Sequence, residues 1–142
     1  MSLNSRGKGA GAERELAAAL FDELGVKLVR NLEQSRRGGH DLTLAPGEIG
    51  PVAAQLGRYA FEVKRHAKAP PALVKTWWNQ AADQASAAGL VPALAYRPDR
   101  GDWRVVLPLM ELRPGLTRAP GVEFTAELSL VGFAALVREI AA

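Results

Sequence analysis

The stretch Tyr59-Ala60-Phe61-Glu62-Val63-Lys64-Arg65 limits what this chain can fold into more than any other. Its large apolar residues Tyr59, Phe61 and Val63 alternate with Ala60, Glu62 and Lys64, which is the two-residue period of a β-strand. As a strand it turns three bulky groups to one face of a sheet, and an acid and an amine to the other. A half-buried carboxylate and ammonium are costly unless they bind each other or a third partner. The apolar face therefore asks for a core. The polar face is either an ordinary salt bridge, which an E-x-K spacing often is, or a place for chemistry.

The rest of the chain supplies elements to surround that strand. Residues 1–11 are glycine-rich, basic and aperiodic, and read as a flexible arm. From Ala12 to Leu24 the pattern turns helical, with Leu16, Leu20 and Leu24 on one face and Gly25 as the stop. Glu13 falls on that same apolar face, away from Glu15, Asp22 and Glu23. Residues 26–30 and 41–45 read as two strands joined by a polar, basic loop, and residues 46–58 as a long connection with one helical turn at 52–56. Pro70-Pro71 opens a helix over 72–88, with Gln80 and Gln84 interrupting its apolar stripe and Gly89 ending it. Residues 91–96 and 103–107 form a hairpin, residues 122–126 a small strand, and residues 129–141 a closing amphipathic helix. This order implies an α/β fold, a central mixed sheet flanked by helices, in a single domain over 12–142.

Composition narrows the function. A chain of 142 residues without cysteine holds neither disulfides nor a thiolate metal site. It has no apolar run of membrane-spanning length and no secretory signal at its start, so the expected location is the cytoplasm of a bacterial, archaeal or phage-infected cell, with no membrane partner. A net charge of +3, with eighteen basic residues that are mostly arginine, permits a nucleic-acid partner without requiring one.

If the strands carrying Asp41 and Glu62 are neighbours, Asp41, Glu62 and Lys64 converge at one end of the sheet. Two carboxylates with waters make the hard oxygen site that Mg²⁺ prefers. Lys64 can orient an attacking water or offset charge on a phosphate. Glu13 can add a further ligand from the first helix, and Gln80 can hold water or phosphate or simply satisfy a buried carbonyl. Arg36, Arg37, Arg65 and Lys68 lie beside this group in the chain as candidate phosphate contacts, with Lys8 in the arm. His40 and His66 flank it, as auxiliary bases or as local hydrogen-bonding groups. Trp77 belongs to the helical stripe; Trp78, turned about 100° away, can be half exposed, to stack on a base or to pack against a partner subunit.

Three segments carry a family resemblance: Lys8-Gly9-Ala10-Gly11-Ala12-Glu13-Arg14-Glu15-Leu16, Gly38-Gly39-His40-Asp41-Leu42 and Phe61-Glu62-Val63-Lys64. Together they resemble the PD-(D/E)XK nuclease superfamily, in particular archaeal-type Holliday junction resolvases and their small phage relatives. The resemblance covers roughly residues 8–97. It implies a restriction-endonuclease-like core, over about residues 12–97, with a C-terminal strand and helix extension. It also implies an Mg²⁺-dependent endodeoxyribonuclease, with Mn²⁺ able to substitute, acting as a homodimer on branched or duplex DNA. By the same resemblance Glu13 matches the acid of the first helix, Asp41 and Glu62 the metal-binding acids, Lys64 the active-site lysine and Gln80 the glutamine of the following helix. His40 stands where many members have proline, and residues after Tyr96 have no counterpart in the resolvases. The alternative is a non-catalytic nucleic-acid-binding or assembly protein that keeps the fold.

Overall fold

The computed structural model of the protein describes residues 3–32 and 39–142. Its elements are α1 (Leu3–Leu24), β1 (Leu28–Arg30), β2 (Leu42–Leu44), α2 (Pro51–Leu56), β3 (Tyr59–His66), α3 (Pro71–Ala88), β4 (Val91–Pro98), β5 (Arg104–Pro108), β6 (Thr125–Ser129) and α4 (Leu130–Ala141), with 3₁₀ turns at Leu109–Glu111 and Val122–Phe124. Among the described residues the strands make a six-stranded sheet ordered β1-β2-β3-β4-β5-β6. β3 and β4 are parallel, joined through α3, and every other neighbouring pair is antiparallel. The fold is thus α/β, with a central mixed sheet flanked by helices.

The alternation in β3 places its side chains as the sequence requires. Tyr59, Phe61 and Val63 enter a core with Leu16 and Leu20 of α1, Leu42, Ala93, Ala95, Val105 and Phe133 of α4. Edge-to-face contacts tie Tyr59, Phe61 and Phe133 together at centroid distances of 5.6–6.0 Å. The opposite sheet face, with Leu94, Tyr96 and Val106, is covered by α3 through Trp77, Trp78 and Ala81. Burying each such large apolar side chain stabilises the fold by about 1.5–3 kcal/mol.

Several boundaries differ from expectation. α1 runs back to Leu3, across most of the stretch read as an arm, so Gly7, Gly9 and Gly11 lie within a helix instead of before one. The last strand starts at Thr125, because Val122–Phe124 winds into a 3₁₀ turn first. Both tryptophans are buried, Trp77 at 5% and Trp78 at 4% exposure, which corrects the half-exposed reading of Trp78. α3 meets the sheet on one side and the Val122–Phe124 turn on another, so two adjacent helical positions are covered at once. The helix stops are as read: Gly89 takes φ 67° and its N–H reaches Ser86 O at 3.2 Å.

Candidate active site

The site forms where β2 ends and β3 continues. β2 pairs with β3 through Leu42 and Phe61, and one residue earlier the strand pairing stops. Asp41 takes over there: its backbone N–H donates to Phe61 O at 2.7 Å, and its Oδ2 accepts the Val63 N–H at 2.7 Å. A side-chain carboxylate thus does what the next strand residue would have done. The loop before it is pinned by Asn31, whose N–H donates to Asp41 O at 2.9 Å and whose Nδ2 donates to His40 O at 2.9 Å.

Glu62 follows on the polar face of β3 and is 3% exposed. Its Oε1 lies 3.1 Å from Lys64 Nζ, so the acid and amine of the E-x-K spacing do pair. Its other oxygen, Oε2, accepts from Gln84 Nε2 at 2.7 Å when the amide nitrogen faces its acceptors; the same nitrogen reaches Gly39 O at 3.3 Å. Glu13, from the apolar face of α1, is 7% exposed, and its Oε2 is 2.6 Å from Arg30 Nε at the end of β1.

Asp41 and Glu62 feel the charges around them. Burial raises the Asp41 carboxyl to about 7, the Glu62 and Glu13 charges add to the rise, and the Val63 N–H and Lys64 oppose it. Glu62 is raised as well, first by burial, with Lys64 pulling it down and Glu13 pushing it up. Burial lowers His40. Like charges held together away from water favour protons or a cation.

The donor set therefore suits a hard divalent ion. Among the described residues no three His, Cys, Asp or Glu side chains converge in ligating arrangement. Mg²⁺ asks for less: one or two carboxylates, with waters completing its octahedron. Asp41 and Glu62 are two carboxylates that act on one another's charge, and Glu13 acts on both.

The two glutamines of α3 are placed differently. Gln80 is exposed, and Gln84, one turn later, is the glutamine against Glu62. At about 100° per residue, Trp77 and Trp78 mark the edges of the buried arc of α3, with Ala81 and Ala85 between them. Gln84 falls just outside the Trp77 edge and Gln80 further round. Both glutamines interrupt the stripe in the sequence, and only the burial of Trp78 fixes which one reaches the sheet.

The candidate phosphate contacts divide. Lys68 is exposed. Arg65 is drawn into an ion-pair network, with Glu15 Oε2 at 3.3 Å and Asp99 Oδ1 at 3.4 Å, while Glu15 Oε1 also meets Arg97 Nε at 2.6 Å. Arg36 and Arg37 lie outside the described residues, as does the side chain of Lys8. His66 is exposed beside Trp77, with ring centroids 5.0 Å apart. Arg30, Glu15 and Arg97 carry no local signal of these contacts in the sequence, whereas Gln84 stands out as a polar residue on an apolar stripe.

Residues 4–124 match the protein family described as "Phage putative PDDEXK endonuclease". Protein D14 of Escherichia phage T5 is 23% identical over 116 residues, 75% of this chain and 72% of that protein. Among solved structures, Hjc from Archaeoglobus fulgidus, a Holliday junction resolvase, superposes with a TM-score of 0.47 at 20% identity, covering 92% of this chain and 98% of that one. No helix among the described residues is long and apolar enough to cross a membrane.

Proposed function

The chain belongs to the phage PDDEXK endonuclease family, and from that premise we propose that it is an Mg²⁺-dependent endonuclease hydrolysing phosphodiester bonds in DNA. The observation that supports this reading is the charge that Asp41 and Glu62 share beside Lys64: burial and the Glu62 charge, with Glu13 adding to it, raise Asp41 to about 7, and Lys64 Nζ lies 3.1 Å from Glu62 Oε1. Asp41 and Glu62 would hold the ion, with Glu13 as a further ligand directly or through water. When bound, Mg²⁺ lowers the pKa of a coordinated water and neutralises charge on the phosphate.

The remaining work falls to the protein's own groups. Lys64 Nζ, held at Glu62 Oε1, places a compact positive charge where it can donate to the attacking water or to a phosphate oxygen. Gln84 holds the second oxygen of Glu62 and so fixes the plane of that carboxylate. Arg30 does the same for Glu13. In the reaction, water adds to phosphorus, one P–O ester bond breaks, and the proton lost by the water is balanced by one taken up by the departing alkoxide.

A four-way junction is the substrate we would test first, and cutting two equivalent strands of it asks for two copies of the site, hence a homodimer. The experiment is a panel of labelled four-way junctions, flaps, duplexes and single strands with Mg²⁺, Mn²⁺ or EDTA. Cleavage is expected with either metal and not in EDTA, and Asp41→Asn and Lys64→Ala should each lower the rate about 100-fold or more. Wild-type rates in both variants would overturn the assignment. Salt-sensitive binding with no cleavage of any substrate would favour the non-catalytic reading.

A further inference from the structure

A groove of ≈ 670 Å³ lies between α1 and the edge strand β1, lined chiefly by apolar atoms. Phe21 from α1 is 50% exposed and Leu32, just past β1, is 76% exposed. Ala17 and Val29 lie among its lining residues. Exposed apolar surface gathered into one concavity is a binding feature more often than scattered single residues are. β1 pairs only with β2, so its outer edge is free of strand pairing among the described residues.

Cations outnumber acids along the groove, though one of them, Arg30, is paired with Glu13. Arg14, Lys27 and Arg30 line it, against Asp22 alone. Arg14 and Lys27 are exposed. Arg30 is the residue whose Nε holds Glu13, and its side chain keeps 32% of its exposure, so the groove adjoins the acidic centre. A cationic rim on an apolar, partly aromatic floor is the combination that single-stranded nucleic acid uses: phosphates on the cations, unstacked bases on the aromatic and apolar surface. A duplex keeps its bases stacked inside and gains nothing from Phe21 and Leu32. A second copy docked here about a two-fold axis would bring two cationic rims together.

We propose that this groove binds a single-stranded segment of nucleic acid, its bases packing on Phe21 and Leu32 and its phosphates meeting Arg14 and Lys27, and leads it to the centre formed by Glu13, Asp41 and Glu62. The inference rests on the nuclease reading and extends it to a substrate class: DNA with an unpaired strand beside the bond that is cut.

The test measures binding separately from cleavage. Anisotropy of a labelled oligothymidylate, and of a duplex of equal length, is followed in EDTA for the wild type, Phe21→Ala and the double variant Arg14→Glu/Lys27→Glu. All three substituted residues are exposed, and circular dichroism checks that the fold is kept. Phe21→Ala is expected to weaken oligothymidylate binding about tenfold and duplex binding less than about twofold. The double variant should weaken binding further and flatten its dependence on salt. Oligothymidylate binding at wild-type strength in both variants overturns the proposal. So does a fall in particle mass on Phe21→Ala, by light scattering, with DNA binding unchanged, since the groove would then be a contact between copies. If the wild type cleaves nothing but groove variants still lose oligothymidylate binding, the nuclease reading fails and the groove stands. If the wild type cleaves and groove variants cut tailed substrates at its rate, the groove fails and the nuclease reading stands.

Discussion

Asp41 is both a strand-pairing group and a candidate ligand, and its protonation carries a stability consequence. Its carboxyl is raised from 3.8 to about 7, so between those values the native state binds more protons than the unfolded chain. Stability must therefore fall as pH rises through that window. Asp41→Asn keeps an oxygen to accept the Val63 N–H and removes the charge. In EDTA at pH 8 it is expected to unfold several degrees higher than the wild type, a gain of about 2 kcal/mol, and the two melting curves should converge below about pH 4. Gln84 gives a second prediction: Gln84→Ala should slow metal-dependent cleavage about tenfold, and Gln80→Ala should leave it unchanged. That Glu62 and Lys64 share one face of β3, and that Glu13 is buried among the apolar residues of α1, was legible in the sequence because strand alternation and a misplaced acid on an apolar stripe are local signals. Gln84 was not separable from Gln80, because the rotation of α3 about its axis is set by how both tryptophans pack, and a periodic pattern does not encode that angle.

Among the elements, α4 illustrates how local chemistry sets a boundary. Ser129 Oγ accepts the Gly132 N–H at 3.0 Å and caps the helix, which then buries Phe133, Ala134 and Val137. Ser129→Ala is expected to lower stability by about 1 kcal/mol, read as a fall of about 3 °C in Tm, with cleavage unaffected. At the end of α3, Gly89→Ala should cost a similar amount, because φ 67° strains any side chain. These ends were readable because a cap needs only a few adjacent residues. The start of α1 was not: its glycines and polar residues carry no apolar period, yet the segment continues the helix that Leu16 and Leu20 anchor. Conversely, α2 was expected as a single turn and occupies Pro51–Leu56, where proline opens it and Leu56 and Ala53 tie it to the core.

Across the whole molecule, a second polar cluster sits at the start of β3, at the other end of the strand from Lys64. The Tyr59 hydroxyl donates to Glu111 Oε1 at 2.8 Å and accepts from Gln55 Nε2 at 2.9 Å, and Arg58 NH1 lies 3.4 Å from the same Glu111 oxygen. Burial raises the Tyr59 hydroxyl, with the Glu111 carboxylate adding to the rise. It joins α2 and the Leu109–Glu111 turn to the sheet, and no sequence motif announced it, since Glu111 lies 53 residues from Arg58. Tyr59→Phe removes the hydroxyl from a buried carboxylate and is expected to cost about 1–3 kcal/mol while leaving cleavage of DNA intact, which urea unfolding and the cleavage panel together would check. The agreement of sheet order with chain order has a consequence for synthesis. Each strand finds its partner in the segment just made or just about to be made, so the sheet can be laid down as the polypeptide leaves the ribosome, without waiting for a distant stretch. Glu13, Asp41, Glu62, Lys64 and Gln84 all precede β5 in the chain. The packing of α4 on α1 and α2, with the bond from Arg138 NH1 to Glu23 O at 3.1 Å, ties the last helix to the first.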